Sequence, residues 1–216
     1  LVRLGVSYMF AHDHAVAASA PAAPAAHDGA LTTRMLPVDG MLLLEPAVRA
    51  GRGKDGRAAC HALVHAGIAV TEHFMRRSQV SRYGRNVVCG LHCQLPPCAQ
   101  GRLIHCNRGA IWAVGGDVRT GSRSFGQWVG ETLSAENGHQ LWIPPGFLHG
   151  LCTLHEDTEV ICRHTRPSVP SCARTIRWND GILGVDWPVM DRQAVLSPSD
   201  GQAPSFSNVI DWFFCS

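Results

Sequence analysis

No apolar run in this 216-residue sequence approaches the roughly 18 residues that a membrane-spanning helix needs, so no transmembrane segment is read from it. An excess of one charge is also missing. The 19 Lys+Arg stand against 17 Asp+Glu, and a net +2 excludes a strongly basic nucleic-acid binder on bulk charge. The nine cysteines are odd in number and include no Cys-x-x-Cys pair. They fall short of the ~8–10% that marks a disulfide-stapled scaffold. A reduced, cytoplasmic compartment is therefore expected, and whether any of the cysteines pair is left open. Cys89, Cys93 and Cys98 with His92 match no standard zinc-finger spacing and read as small buried hydrophobes or exposed thiols. Internal repeats are absent, and helical periodicity is scarce after residue 75.

What is present divides in two. Residues 1–34 contain the Ala/Pro-rich stretch Ala15–Ala26 and read as a flexible arm. Ala18-Ser-Ala20 is similar to a leader cleavage site, but His12, Asp13 and His14 interrupt the apolar stretch before it. The sequence starts at Leu1, and Met35 opens a globular-looking segment and is a candidate natural start. Residues 35–216 read as one domain, with hydrophobic residues at 45% of the whole chain, enough for a sizeable core. Strands are expected at Met41–Leu44, from Val87 through Leu91, and at Leu103–Cys106, Ala110–Val114, Phe125–Leu133, Gln140–Ile143 and Glu159–Cys162. Asn107-Arg-Gly109, Pro96-Pro97 and Pro144-Pro-Gly146 punctuate them. This spacing predicts an all-β sandwich or barrel with few helices.

Several strings are more specific. They include Gly90-Leu-His-Cys-Gln94, Ala99-Gln-Gly101, Arg108-Gly-Ala-Ile111, Phe125-Gly-Gln-Trp-Val-Gly130 and Leu133-Ser-Ala-Glu-Asn137. Gln140-Leu-Trp-Ile-Pro-Pro-Gly-Phe147 follows with His149-Gly150, then Ile176-Arg-Trp-Asn-Asp180, Leu183-Gly-Val-Asp-Trp-Pro188 and Gln202-Ala-Pro204. In this order and spacing the chain resembles the dTDP-4-dehydrorhamnose 3,5-epimerase family of sugar-nucleotide isomerases. The resemblance runs from about Leu36 to Phe206 and is densest from Val87 to Pro204.

The resemblance implies a cupin-type jelly roll, a homodimer, and work without metal or other cofactor. The paired His-x-His of metal-binding cupins is also missing, since Leu91-His-Cys-Gln94 supplies one imidazole. The implied substrate is a dTDP-4-keto-6-deoxy-hexose, whose C3 and C5 protons are acidified by the C4 ketone. Inverting those centres takes a base, a cation or donor at the enolate oxygen, and an acid across the ring. Taken alone, His92 reads as a hydrogen-bonded core histidine; within its motif the resemblance makes it the base, a role that suits an imidazole. Asp200, on its own a solvated turn residue, becomes the carboxylate that orients His92. His149 matches a substrate-binding histidine. Arg102 stands where the family has a lysine near the keto oxygen, keeping the charge in a planar fork.

Other positions depart from the family pattern. The acid tyrosine falls on Cys162, a thiol whose sulfur ends well short of a phenol oxygen. A diphosphate-holding arginine is Cys89, an expected glutamate is Ala173, and the lysine before the aspartate is Ser199. Arg77 and Gln79 stand near a nucleotide-contacting Gln-x-Asn pair. Three outcomes fit these departures: a double epimerase, a C3-only epimerase, or a catalytically impaired sugar-nucleotide-binding cupin.

Overall fold

Short apolar runs in the chain's centre, bounded by Gly, Pro and Asn, fold as strands. The computed structural model describes residues 31–46, 56–70 and 78–208. Two six-stranded sheets face each other. The first runs in the order β1 (Leu31–Met35), β2 (Leu42–Pro46), β8 (Gln140–Ile143), β5 (Arg102–Arg108), β10 (Thr158–His164) and β3 (Ser78–Tyr83). The second runs β11 (Ala173–Thr175), β4 (Val87–Gln94), β9 (Phe147–Thr153), β6 (Ala110–Asp117) and β7 (Trp128–Ser134). A short β12 (Val195–Leu196) lies parallel beside β4, and the other pairings are antiparallel. The expected cupin-type β-sandwich is the observed fold.

The central core lies between the sheets. Leu43, Ile104, Leu141 and Val160 from the first meet Ile111, Leu133, Phe147 and Leu151 from the second. Both outer faces are covered as well. Helix α1 (Gly56–His65) lays Ala59, Ala62 and Leu63, one helical stripe, on Leu44, Leu103 and Trp142 of the first sheet. The segment after β11 folds over the second sheet, where Ile176, Leu183 and Phe206 pack on Leu91, Val114 and Leu148.

Several expectations change. Leu31–Met35 is a strand paired with β2, so residues 31–34 belong to the sandwich and not to the arm; the rest of the arm, residues 1–30, lies outside the described residues. Strand β9 carries no alternation because every residue of it is buried, and β3 is polar because it is an edge strand. The Asn107-Arg-Gly109 turn closes no hairpin between β5 and β6 but carries the chain from one sheet to the other, with Gly109 at φ +73°. Strand β7 begins at Trp128, not Phe125. Before it, Ser122 and Ser124 hydrogen-bond the buried Asp117 carboxylate, which also holds Arg119 at 2.8 Å and so folds this stretch into a turn.

The sequence leaves open whether any cysteines pair. Cys98 and Cys172 form a disulfide, with a Cα–Cα distance of 6.1 Å across 74 residues of sequence. It ties the Pro96-Pro97 turn to the 3-10 turn before β11. Cysteine spacing conceals such a link, because the partners meet only once the sandwich closes.

Candidate active site

A bulge in strand β4 sets the site. Its ladder with β9 shifts register between Cys89 and His92. Gly90 there has φ +122°, a conformation that side chains with a Cβ rarely adopt. A Cβ on it would sit 2.8 Å from both the Gly150 Cα and the His149 carbonyl. Leu91 instead exchanges backbone hydrogen bonds with Ile176 at 3.0 and 2.8 Å. On a regular strand, residues three apart face opposite ways. The bulge turns Cys89 and His92 to the same cavity and sets His92 opposite His149 of β9, with ring centroids 5.7 Å apart.

Behind His92 stands Asp200, in the short helix α2 (Pro198–Gly201). Ser197 caps this helix by accepting the Asp200 amide at 3.1 Å, which fixes the aspartate's place. The carboxylate is buried, and its Oδ1 lies 2.6 Å from His92 Nε2. Burial pushes the Asp200 carboxyl up, but hydrogen bonds from His92, Ser197 and the Gly90 amide outweigh it and hold the group below its usual range. An ionised carboxylate only accepts hydrogen bonds. His92 Nε2 is therefore the donor, which leaves Nδ1 as the ring nitrogen that can accept a proton.

The facing wall comes from the first sheet. Gln79, Ser81 and Tyr83 of β3, Arg102 and Ile104 of β5, and Val160 and Cys162 of β10 line a cavity of about 220 Å³ with Cys89, His92, His149, Gly150 and Leu151. Register explains the first group. Gln79 pairs with Cys162, Ser81 with Val160 and Tyr83 with Thr158, alternate residues that share one face. Burial lowers the pKa of the Arg102 guanidinium, and a hydrogen bond with Cys162 partly offsets this. Burial pushes the Cys162 thiol up, against the pull of Arg102. Burial, then Arg102 and His92, drive His149 well below the usual imidazole range, so it is neutral at pH 7.

Of the residues picked out in the sequence, His92, His149, Arg102, Cys89, Cys162 and Gln79 line this one cavity, with Asp200 directly behind. Two do not. Ala173 is exposed on β11 opposite Gln94, and Ser199 is exposed on α2 with its hydroxyl 2.9 Å from that of Ser197. Arg77 lies outside the described residues. Cys89, Cys93, Cys98 and His92 do not converge, since Cys98 is bonded to Cys172 and Cys93 packs in the outer core. Sequence reading missed Ser81 and Tyr83. Their signal was the alternation Gln79-x-Ser81-x-Tyr83, which marks one face of a strand.

Two facing antiparallel sheets, with a His–carboxylate pair and an arginine in the cavity between them, define a cupin-type protein equipped to move protons. The family model for dTDP-4-dehydrorhamnose 3,5-epimerase matches residues 35–208, and the chain belongs to that family. A curated dTDP-4-dehydrorhamnose 3,5-epimerase of Sinorhizobium fredii is 48% identical over 118 residues, covering 55% of this chain and 60% of that protein's length. A crystal structure of the Bacillus anthracis enzyme with TDP and pyrophosphate bound is 32% identical, with a TM-score of 0.72 over 82% of this chain and 99% of that one. The Legionella pneumophila enzyme in complex with dTDP-4-keto-L-rhamnose is 31% identical, with a TM-score of 0.70 over 82% of this chain and 93% of that one.

Proposed function

We propose that this protein is a dTDP-4-dehydrorhamnose 3,5-epimerase, an isomerase that inverts C3 and C5 of a dTDP-4-keto-6-deoxy-hexose in deoxysugar synthesis. The observation that carries the reading is the 2.6 Å His92–Asp200 pair, set in the cavity of a family member beside Arg102. With Nε2 held by Asp200, Nδ1 of His92 takes the proton next to the ketone. The C–H electron pair moves into the ring and charge develops on the C4 oxygen. Arg102, the permanent cation among the lining side chains, stabilises that oxygen. Neutral His149 is free to donate a hydrogen bond to the sugar. The ketone itself acidifies both centres, so the chemistry calls for no cofactor.

The cavity suits one ring. At about 220 Å³ it lies under the ~300–1,000 Å³ of sites that enclose a drug-sized ligand, so the nucleotide would extend out of it. Gln79 and Cys89 line the cavity on two of its strands as substrate contacts, while Ala173 and Ser199, exposed and outside that lining, are given no substrate contact. We place the protein in the cytoplasm, a compartment in which the Cys98–Cys172 bond would be exceptional; no described helix is long and apolar enough to cross a membrane. We also read it as a homodimer. In support, edge strands β1 and β3 leave Met35 and Val80 more than half exposed, at 75% and 56%.

The test is to follow dTDP-4-keto-6-deoxyglucose by NMR in heavy water. Inversion with deuterium at C3 and C5, abolished by His92→Ala, is the expected result. Deuterium at C3 alone makes the protein a one-centre epimerase. No exchange above the enzyme-free control, with folded protein, rejects the activity.

A further inference from the structure

The family resemblance leaves the acid position of this chain on a cysteine, yet the same cavity holds a tyrosine on a different strand. Tyr83 is the only tyrosine among the described residues. It sits on β3, next to β10, and lines the cavity from the sheet opposite His92. The two walls therefore offer what an inversion takes: a base on one face of the ring and a hydroxyl on the other. Cys162 shares Tyr83's wall but is engaged by Arg102, and its side chain is shorter.

We infer that Tyr83 is the proton donor of this epimerase, a role taken over from the strand position where Cys162 now stands. The inference rests on the epimerase reading above. His92 removes the ring proton, breaking the C–H bond, and the electron pair goes into the enolate. The phenol O–H then breaks as the enolate pair forms a new C–H bond on the opposite face. This leaves an imidazolium and a phenolate. Water takes one proton from the first and returns one to the second, so the enzyme is restored with no net gain or loss. Burial raises the Tyr83 pKa, which keeps the hydroxyl protonated and ready to donate. Ser81 and Cys89 line the cavity with it. Ser81 in turn accepts from Gln79 Nε2 at 3.4 Å, and Gln79 is exposed. Gln79 thus marks the side of the cavity that opens to solvent, from which water returns the proton to the phenolate.

The test separates proton removal from proton return. In heavy water, Tyr83→Phe still lets His92 exchange the substrate's protons on its own face, with configuration retained. Formation of inverted product falls ~10²–10⁴-fold, the usual cost of a lost general acid. A second measurement does not depend on a variant's folding. In protein made with 3-fluorotyrosine, whose phenol is more acidic, the alkaline limb of the inversion rate shifts to lower pH. If Tyr83→Phe inverts as the parent does, or if fluorination leaves the alkaline limb in place, Tyr83 is not the donor while the epimerase reading survives. If the parent protein neither exchanges nor inverts, both fall together, and that outcome is seen before any variant is made.

Discussion

His92 Nε2 lies 2.6 Å from Asp200 Oδ1, joining residues 108 positions apart in the chain. One comes from a bulged strand and the other from a capped helical turn, so the pair forms only where the two elements meet. Asp200→Asn tests what the carboxylate supplies. The amide fits the same space but no longer enforces a protonated Nε2, so the ring is free to take the tautomer with its lone pair facing the wrong way. In a comparable His–carboxylate pair that change costs about 10⁴-fold in kcat. We expect a loss of about 10²–10⁴-fold in kcat here, with dTDP affinity measured by calorimetry unchanged. A matching loss of dTDP binding would make Asp200 a structural prop of the site.

Acid should weaken this fold earlier than its carboxylates alone predict. His164 is buried, hydrogen-bonds Gln100 at 3.1 Å, and is held at about 4 by burial and by Arg102, against the usual 6.5. The unfolded chain protonates this ring near 6.5 and the folded protein resists until about 4. The contribution is complete above the first value, drains between the two and is gone below the second. At about 1.4 kcal/mol per unit the loss approaches ~3 kcal/mol. His149, driven well below 6.5 by burial and by Arg102, adds in the same direction. Urea unfolding at pH 7 and pH 4.5 should show the drop, and His164→Gln should shrink it. An equal drop in that variant would place the proton uptake elsewhere.

How much of this was readable beforehand varies with the physics of each position. Strands β4, β5 and β8 announced themselves as short apolar runs bounded by turn residues, although β8 is buried throughout. Strand β9 was hidden because His149-Gly150 interrupts its apolar run. His92 and Asp200 were legible only through a resemblance, since no rule of spacing links residues so far apart. Tyr83 was missed for another reason: a polar edge strand has little hydrophobic signal, and only the alternation Gln79-x-Ser81-x-Tyr83 pointed to its inward face.

The Cys98–Cys172 link is checked directly. Closing 74 residues of chain removes denatured-state entropy worth about 4 kcal/mol in the chain-entropy account. Protein purified without reductant should have an intact mass consistent with one bond. Reductant should lower its urea midpoint, and Cys98→Ser should show the lower midpoint with or without reductant. Finding every thiol free in the untreated protein would remove this link from the account.

Cys89 offers the reverse experiment, a gain of function. It lines the cavity on β4, three residues before His92, where the family resemblance places an arginine that holds the diphosphate. A thiol pushed up by burial is neutral at pH 7 and offers phosphate no charge. The permanent positive charge lining the cavity is then Arg102, which the mechanism commits to the enolate oxygen. Cys89→Arg restores a planar fork that bonds two phosphate oxygens at once. A charge-assisted hydrogen bond is worth about 1.5–3 kcal/mol, so dTDP should bind roughly 10–100-fold tighter by calorimetry. The gain should shrink as salt rises, as for any added phosphate contact. Because the new guanidinium stands beside the Tyr83 hydroxyl, the same variant should also lower the phenol's pKa. Tighter dTDP binding with an alkaline rate limb moved to lower pH would show that nucleotide affinity and proton return meet at this position. Unchanged dTDP affinity in a folded variant would mean that the nucleotide takes a path away from β4.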